Sequence, residues 1–244
     1  MAEQSFIGKG SMYLGPKTGV KRAIGNASAL TFAADEEKKD LLDFQNAGGG
    51  KANSISRITG VTMDLTAVEL SPENIALAIR GSVTAVTAGA VTGEALTAHL
   101  DGLVRFANIP DPAVAPVITG SGGTPTYTEG TDYTVVGAGI IPLGTGTITE
   151  GLALEAGYTK AAGNVVQAMV DSSSEFEMIF DGLNEAQSGK RVVVQAYRVK
   201  FSPGQNVAWI GDNFAELQIS GEVLKDTTIT GGGLSQFYKV DFQS

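Results

Sequence analysis

His99 is the only histidine in a chain of 244 residues that contains no cysteine. A nucleophile-base pair of the serine-histidine kind would have to be built on that one ring, and thiolate or multi-histidine metal centres are excluded. His99 reads instead as a polar strand residue in a hairpin. Gly48-Gly49-Gly50-Lys51 resembles the end of a phosphate-binding loop, but Gln45 stands where its first glycine belongs. Ala52 replaces the hydroxyl residue that would hold magnesium. Asp35, Glu36, Glu37, Asp40 and Asp43 are interrupted by Lys38 and Lys39 and lack calcium-loop spacing, so they read as a mixed-charge solvated segment. Glu216 and Glu222 fall about 20 Å apart if they share a strand, too far to flank one glycosidic bond. No G-x-S-x-G elbow occurs. The expectation is a chain with no catalytic, cofactor or metal site.

The elements that would position these residues are short strands. Met12-Tyr13-Leu14 and Ala29-Leu30-Thr31-Phe32 flank the turn signals Gly15-Pro16 and Gly25-Asn26, and a loop is expected over 35–50. From Ile55 to Val68 the residues alternate, with Val61, Met63 and Leu65 on one face and Thr62, Asp64 and Thr66 on the other. Ser71-Pro72-Glu73 then starts a helix to about residue 80: Ser71 caps, Pro72 fits the first position and Glu73 meets the positive helix end. Ile75, Ala76, Ala78 and Ile79 supply its apolar side, and Gly81 ends it.

Residues 82–165 change character towards Ala, Gly, Thr and Val, and read as a β-rich insertion between the two parts of a core domain, 1–81 and 166–244. Within it, Glu94–Leu100 and Leu103–Ala107 flank Asp101-Gly102 as a hairpin, and a small meander follows over Thr134–Val136, Gly146–Thr149 and Leu152–Tyr158. In the last third, Glu175–Phe180 is a strand ended by a turn at Asp181–Asn184. Arg191–Phe201 is a long strand, and Phe214–Leu224 alternates most clearly. Ala215, Leu217, Ile219 and Val223 share its dry side, and Glu216, Gln218, Ser220 and Glu222 its wet, acidic side.

Hydrophobic residues form 43% of the chain, enough for a sizeable core, and the 32 glycines suit many tight turns. A net charge of −9 argues against a protein that grips nucleic acid, though it suits a wall past which phosphates slide. No apolar run approaches the roughly 20 residues of a membrane-spanning helix, and the N-terminal residues lack a signal-peptide core, so synthesis in the cytoplasm is expected.

The segment Asp35–Gly50 combines charge, the apolar residues Leu41, Leu42 and Phe44, and the glycines Gly48, Gly49 and Gly50. Exposed side chains of that kind are costly for a lone molecule and useful in an arm that docks on a second copy. In order along the chain, Gly10-Ser-Met-Tyr-Leu-Gly15, Gly25-Asn26-Ala27-Ser28, this acidic segment, Asn53–Ile58 and Ser71-Pro72-Glu73-Asn74 resemble the tail tube proteins of long-tailed bacteriophages. So do Phe201-Ser-Pro203, Phe214-Ala-Glu-Leu217 with Gly221–Asp226, and Gln236–Val240, while residues 82–165 match less well.

The resemblance implies a mainly β fold, a β-sandwich or barrel with one short α-helix at about 71–80. It further implies hexameric rings stacked into a hollow virion tube that conducts genome DNA into the host. The expected partners are the chain itself, the tape-measure, terminator and baseplate or tip proteins, and DNA passing through without specific binding, with no membrane. Leu41, Leu42, Phe44, Gly48, Gly49 and Gly50 become the candidate inter-ring arm. Thr62, Asp64, Thr66, Glu216, Gln218, Ser220 and Glu222 become the candidate lumen lining. The rival readings are a virion-surface adhesion or decoration module and the inner tube of a contractile injection or bacteriocin-like machine.

Overall fold

Period-two burial decides most of the strands. The computed structural model describes residues 5–204 and 207–243. Its elements are, in order, β1 (Gly8–Gly15), β2 (Arg22–Ala23), β3 (Ala27–Leu42), β4 (Lys51–Ala67), α1 (Pro72–Ala78), β5 (Ser82–Val86), β6 (Gly89–Thr97), β7 (Val104–Arg105) and β8 (Val117–Gly120). There follow β9 (Tyr133–Val136), β10 (Gly139–Pro142), β11 (Ala153–Lys160), β12 (Gly163–Gln167), β13 (Phe176–Asn184), β14 (Lys190–Phe201), β15 (Leu217–Val223) and β16 (Tyr238–Phe242). The fold is mainly β, with antiparallel sheets and one short α-helix.

The chain divides into two units, Met1–Val83 with Val166–Ser244, and Thr84–Val165. The first is an eight-stranded sheet in the order β2-β1-β13-β14-β15-β4-β3, with β16 beside β14. It curls around its own apolar face: Phe32 of β3 stacks on Tyr238 of β16 at 4.9 Å although the two strands are not neighbours. Met63, Leu65, Met178, Val199, Leu217, Ile219 and Val223 fill the interior. Burying each such side chain stabilises the fold by about 1.5–3 kcal/mol.

Helix α1 covers part of this core. The Ser71 hydroxyl accepts from Asn74 N at 3.2 Å, as the cap spacing predicts. The buried side differs from the expected one. Asn74 lies fully buried where Ile75 was expected, because its amide donates to Ile24 O (2.7 Å) and Glu69 O (2.9 Å), tying the helix to two loops. The helix ends on Arg80 in the left-handed region (φ 50°), with Gly81 N donating to Ala76 O at 2.7 Å. Gly81 is small for a different reason: a Cβ there would lie 2.3 Å from Gln167 O.

In the first unit three strand expectations need correction. The run 35–50 is not all loop: β3 continues to Leu42 and β4 starts at Lys51, leaving residues 43–50 as the connection. Asp181-Gly182 is not a turn, since β13 runs through to Asn184. Gly182 is there for the Phe180 ring, whose carbon would meet an added Cβ at 2.2 Å. Finally, Phe214 precedes the strand that was expected to begin with it, and β15 starts at Leu217.

The second unit holds two three-stranded sheets, β6-β11-β8 and β7-β10-β9, around Phe106, Ile118, Ile140 and Leu154. The expected Glu94–Ala107 hairpin is absent. Asp101-Gly102 does turn the chain, but β6 pairs with β11 and β7 with β10, so the two flanking strands enter different sheets. Gly146–Thr149 is not a strand either. Its turn is held by buried Asp132, whose carboxylate accepts from Thr128 N, Thr147 N and Thr147 Oγ1, each at 2.8 Å. Those bonds hold the Asp132 carboxyl below its usual range.

Buried Asp226 pins the turn at Lys17 to the segment after β15. Its carboxylate pairs with Lys17 Nζ and accepts from Thr228 Oγ1 at 2.7 Å. The Lys17 ammonium, followed by the Thr228 hydroxyl, holds the Asp226 carboxyl at about 2 against an ordinary 3.8. A depressed carboxyl contributes stability that is complete above the unfolded pKa and disappears as pH falls through the folded one. Asp226→Asn is therefore expected to remove about 2 kcal/mol at neutral pH, the usual value of a charge-assisted hydrogen bond. The melting midpoint of the first unit should fall by about 4–8 °C. The gap between the two proteins should close between about pH 4 and pH 2. Equal melting at pH 7 in calorimetry would show that the pair does not stabilise the fold.

Candidate functional site

The polar face is built by registration of β15 against β4. Gln218 faces Thr66, Ser220 faces Asp64 and Glu222 faces Thr62. The inward residues alternate with them, so Leu217, Ile219 and Val223 are buried while Gln218, Ser220 and Glu222 are exposed. Six of the seven lining candidates are thus brought onto one face as three cross-strand pairs. Ser220 Oγ donates to Asp64 Oδ1 at 2.6 Å. Glu216 is also exposed, but it lies in the segment before β15.

Neighbouring strands extend the face. Lys200 of β14 lies opposite Glu222, and Thr31 and Ala33 of β3 lie opposite Asp64 and Thr62. Asp35 joins it at the position facing Gly60. A Cβ on Gly60 would sit 3.5 Å from Asp35 Oδ2 and 3.8 Å from Glu222 Oε1, so two carboxylates flank the glycine. Sequence reasoning assigned Asp35 to the arm, although the alternation Leu30, Phe32 against Thr31, Ala33, Asp35 carried the signal. The result is an open, hydrated face with acidic Asp35, Asp64 and Glu222 and basic Lys200. Such a surface can hydrate and repel a polyanion without gripping it.

The second surface is the outer half of the β3–β4 hairpin. From Asp35–Gly60 to Leu41–Asn53 the two strands stay paired, yet every residue of Asp35–Leu42 and Lys51–Thr59 is exposed. Lys51 Nζ pairs with the Asp40 carboxylate, which also accepts from Ser54 Oγ at 2.7 Å. These partners hold the Asp40 carboxyl below its usual range. The Lys51 ammonium is thereby engaged within the hairpin. In the connection, Asp43 accepts from Asn46 Nδ2 and Gln45 N, both at 2.8 Å, and Asp43 N donates to Gly50 O. Gly48, Gly49 and Gly50 all have positive φ, and an added Cβ would meet nothing within 4 Å at any of them.

All three expected anchors are exposed, Phe44 at 82%. They do not form one patch. Consecutive strand residues point to opposite faces, so Leu41 shares a face with Ile55 and Leu42 shares the other with Ile58. Both isoleucines are exposed, and the sequence reading did not single them out as anchors. The same holds for the loop before β15, where Trp209, Ile210 and Phe214 are exposed, Phe214 at 99%. Nothing in a loop sequence distinguishes an apolar side chain that folds inward from one that faces water.

β3 ends the sheet, leaving its outer edge unpaired among the described residues. On the opposite side β2 covers only Tyr13 and Leu14 of β1. His99, outside both surfaces, lies in the turn after β6 and not in a strand. Its Nδ1 lies 2.9 Å from Glu150 Oε1, and Glu150 also accepts from Leu100 N at 2.7 Å. The backbone bond and the histidine hold the Glu150 carboxyl below its usual range, and the pair serves to tie two turns together. Among the described residues no helix is long and apolar enough to cross a membrane.

Facing is testable by substitution. Leu65→Ala should cost about 2–5 kcal/mol, as for a filled core position. Thr66→Ala, one residue on and facing out, should stay within about 0.5 kcal/mol. Equal costs in urea denaturation would contradict the assigned faces.

Residues 5–241 match a family described as Protein of unknown function UCP028589, and the chain belongs to that family. No curated protein matches it.

Proposed function

We propose that this chain is the tail tube protein of a long-tailed bacteriophage, a structural subunit whose hexameric rings stack into a hollow tube for genome DNA. The observation that carries the reading is the β3–β4 hairpin. A 16-residue edge strand leaves the core halfway along and ends in exposed Leu41, Leu42 and Phe44. An unpaired edge of that length invites strand addition, and apolar side chains off the core gain free energy when a partner covers them. Repeated heterologous contacts of one surface with another close into a ring or propagate as a stack. The resemblance along the two parts of the first unit supplies the ring and the tube.

In this reading Gln218, Ser220, Glu222, Thr62, Asp64 and Thr66 line the lumen, with Asp35 beside them. Carboxylates there repel phosphate, and Lys200 is kept opposite Glu222. The chain would act without cofactor or catalysis, in the virion tail, with tape-measure, terminator and baseplate or tip proteins as partners.

Glu37 and Arg57 are register partners, so the hairpin can be shortened at that rung. Replacing residues 38–56 by Asn-Gly, which favours the tight hairpin turn, should leave a folded protein. Negative-stain microscopy of the unaltered protein should show hollow filaments, and the shortened variant should show none. Filaments of normal length from the shortened variant would sink the arm assignment. Phage carrying Gln218→Lys with Glu222→Gln should assemble and eject DNA more slowly. The glutamine avoids a second ammonium opposite Lys200. Unchanged ejection kinetics would count against a lumenal position.

A further inference from the structure

The core face of the first unit does not end where the core ends. Register continues it along Met12, Phe180, Val194 and Val240, and then along Gly10, Gly182, Val192 and Phe242. Val192 is still buried, but at the Phe242 end the face opens to solvent among the described residues, Phe242 being 70% exposed. An open groove of about 630 Å³ remains, lined by Phe6, Lys190, Val192, Val194, Val240 and Phe242 together with amide side chains. Phe6 and Phe242 are both more than half exposed. Lys190 is the one charged residue in that lining, and it makes no ion pair among the described residues.

The hairpin tip carries the complementary features. Leu42 and Phe44 are exposed apolar residues on either side of Asp43. Asp40 is already paired with Lys51, whereas Asp43 is held by amide donors and has no cation partner among the described residues. An apolar tip bearing one uncompensated anion therefore matches an apolar groove bearing one uncompensated cation.

We propose that the groove between the N-terminal segment and β16 receives the β3–β4 hairpin tip of a second copy, with Phe44 and Leu42 against Val194, Val240 and Phe242 and Asp43 against Lys190. This rests on the self-assembly reading above and names the receiving surface for its arm. The contact is heterologous: the tip of one molecule fills the groove of the next and leaves its own groove open for a third. That geometry propagates instead of closing as a two-fold dimer.

The absence of cysteine makes the contact directly readable. Two differently tagged preparations, Phe44→Cys and Val240→Cys, mixed and oxidised, should give the mixed disulfide as the main cross-linked product. Ile210→Cys with Val240→Cys should not. Asp43→Lys or Lys190→Asp alone should lower the cross-linking yield about fivefold, the effect of losing one interfacial charge pair. The two reversals combined in one chain should restore it.

Four outcomes separate the claims. Hollow filaments without the 44–240 disulfide overturn the groove assignment and leave the tube reading standing. The disulfide and the charge-swap rescue without hollow filaments support the groove and overturn the tube. A dominant 210–240 disulfide shows that the Trp209–Phe214 loop is the occupant and overturns the proposal. A protein that neither cross-links nor forms filaments at any concentration overturns both.

Discussion

The structure of the first unit depends on one constraint, the register between β4 and β15. A slip of β15 by one residue would turn Leu217, Ile219 and Val223 out to water and bring Gln218, Ser220 and Glu222 into the core. At about 1.5–3 kcal/mol for each apolar side chain, with a carboxylate buried as well, the loss is comparable to the whole stability of an ordinary domain. Gly221 helps fix the position from the third strand. It lies opposite Phe201 of β14, and an added Cβ would come within 3.0 Å of the Phe201 ring. The dry side therefore dictates the wet side. The acidic row is coherent because the leucines and isoleucine that alternate with it are fully buried.

The same hairpin behaves differently along its length. Up to Phe32, β3 has a face to bury, and burial sets its register. Beyond Asp35 there is no core beneath it, and the ladder is held by backbone bonds and exposed side-chain pairs such as Asp40 with Lys51. Exposed ion pairs contribute about 0–1 kcal/mol each. The register shift between Asp35 and Glu36 falls at the boundary between the two regimes. A bulge there adds twist and lets the outer half take a direction of its own. Stability resides in the inner half. The outer half is available for partners because the core does not depend on it.

How much of this was legible in the sequence follows from what each signal measures. Alternation in Val61–Thr66 and Leu217–Val223 is a burial signal, and burial is what the fold enforces, so both faces could be read directly. The Ser71 cap is local chemistry and was equally readable. Turn signals were less secure because glycine has several uses. Gly182 makes room for the Phe180 ring within a strand, and Asp101-Gly102 turns between sheets because β6 and β7 find better partners in β11 and β10. Asp35–Leu42 looked like a loop because a strand exposed on both faces has no apolar period. Asn74 took the buried place expected of Ile75 because two loop carbonyls, the distant Ile24 O and the nearby Glu69 O, accept from its amide. Pairings across the sheet are invisible to a local window, and so is the groove beside Lys190, which is made by residues 5–6, 184–194 and 240–243 together.

The proposed conduit places opposite demands on the two surfaces, and the chain separates them. A wall past which DNA moves must offer water and few cations, since each phosphate pairing adds affinity that has to be undone for motion to continue. The β4–β15 face meets this with small hydroxyls and carboxylates, and its basic residue lies opposite Glu222. Contacts between subunits must do the reverse and gain free energy by excluding water. Among the apolar residues free to do so, Leu41, Leu42, Phe44, Ile55 and Ile58 lie on the hairpin beyond Asp35, away from that hydrated face. One continuous pair of strands thus carries a face that avoids binding and an arm that requires it, and the shift in pairing at Asp35 divides the two.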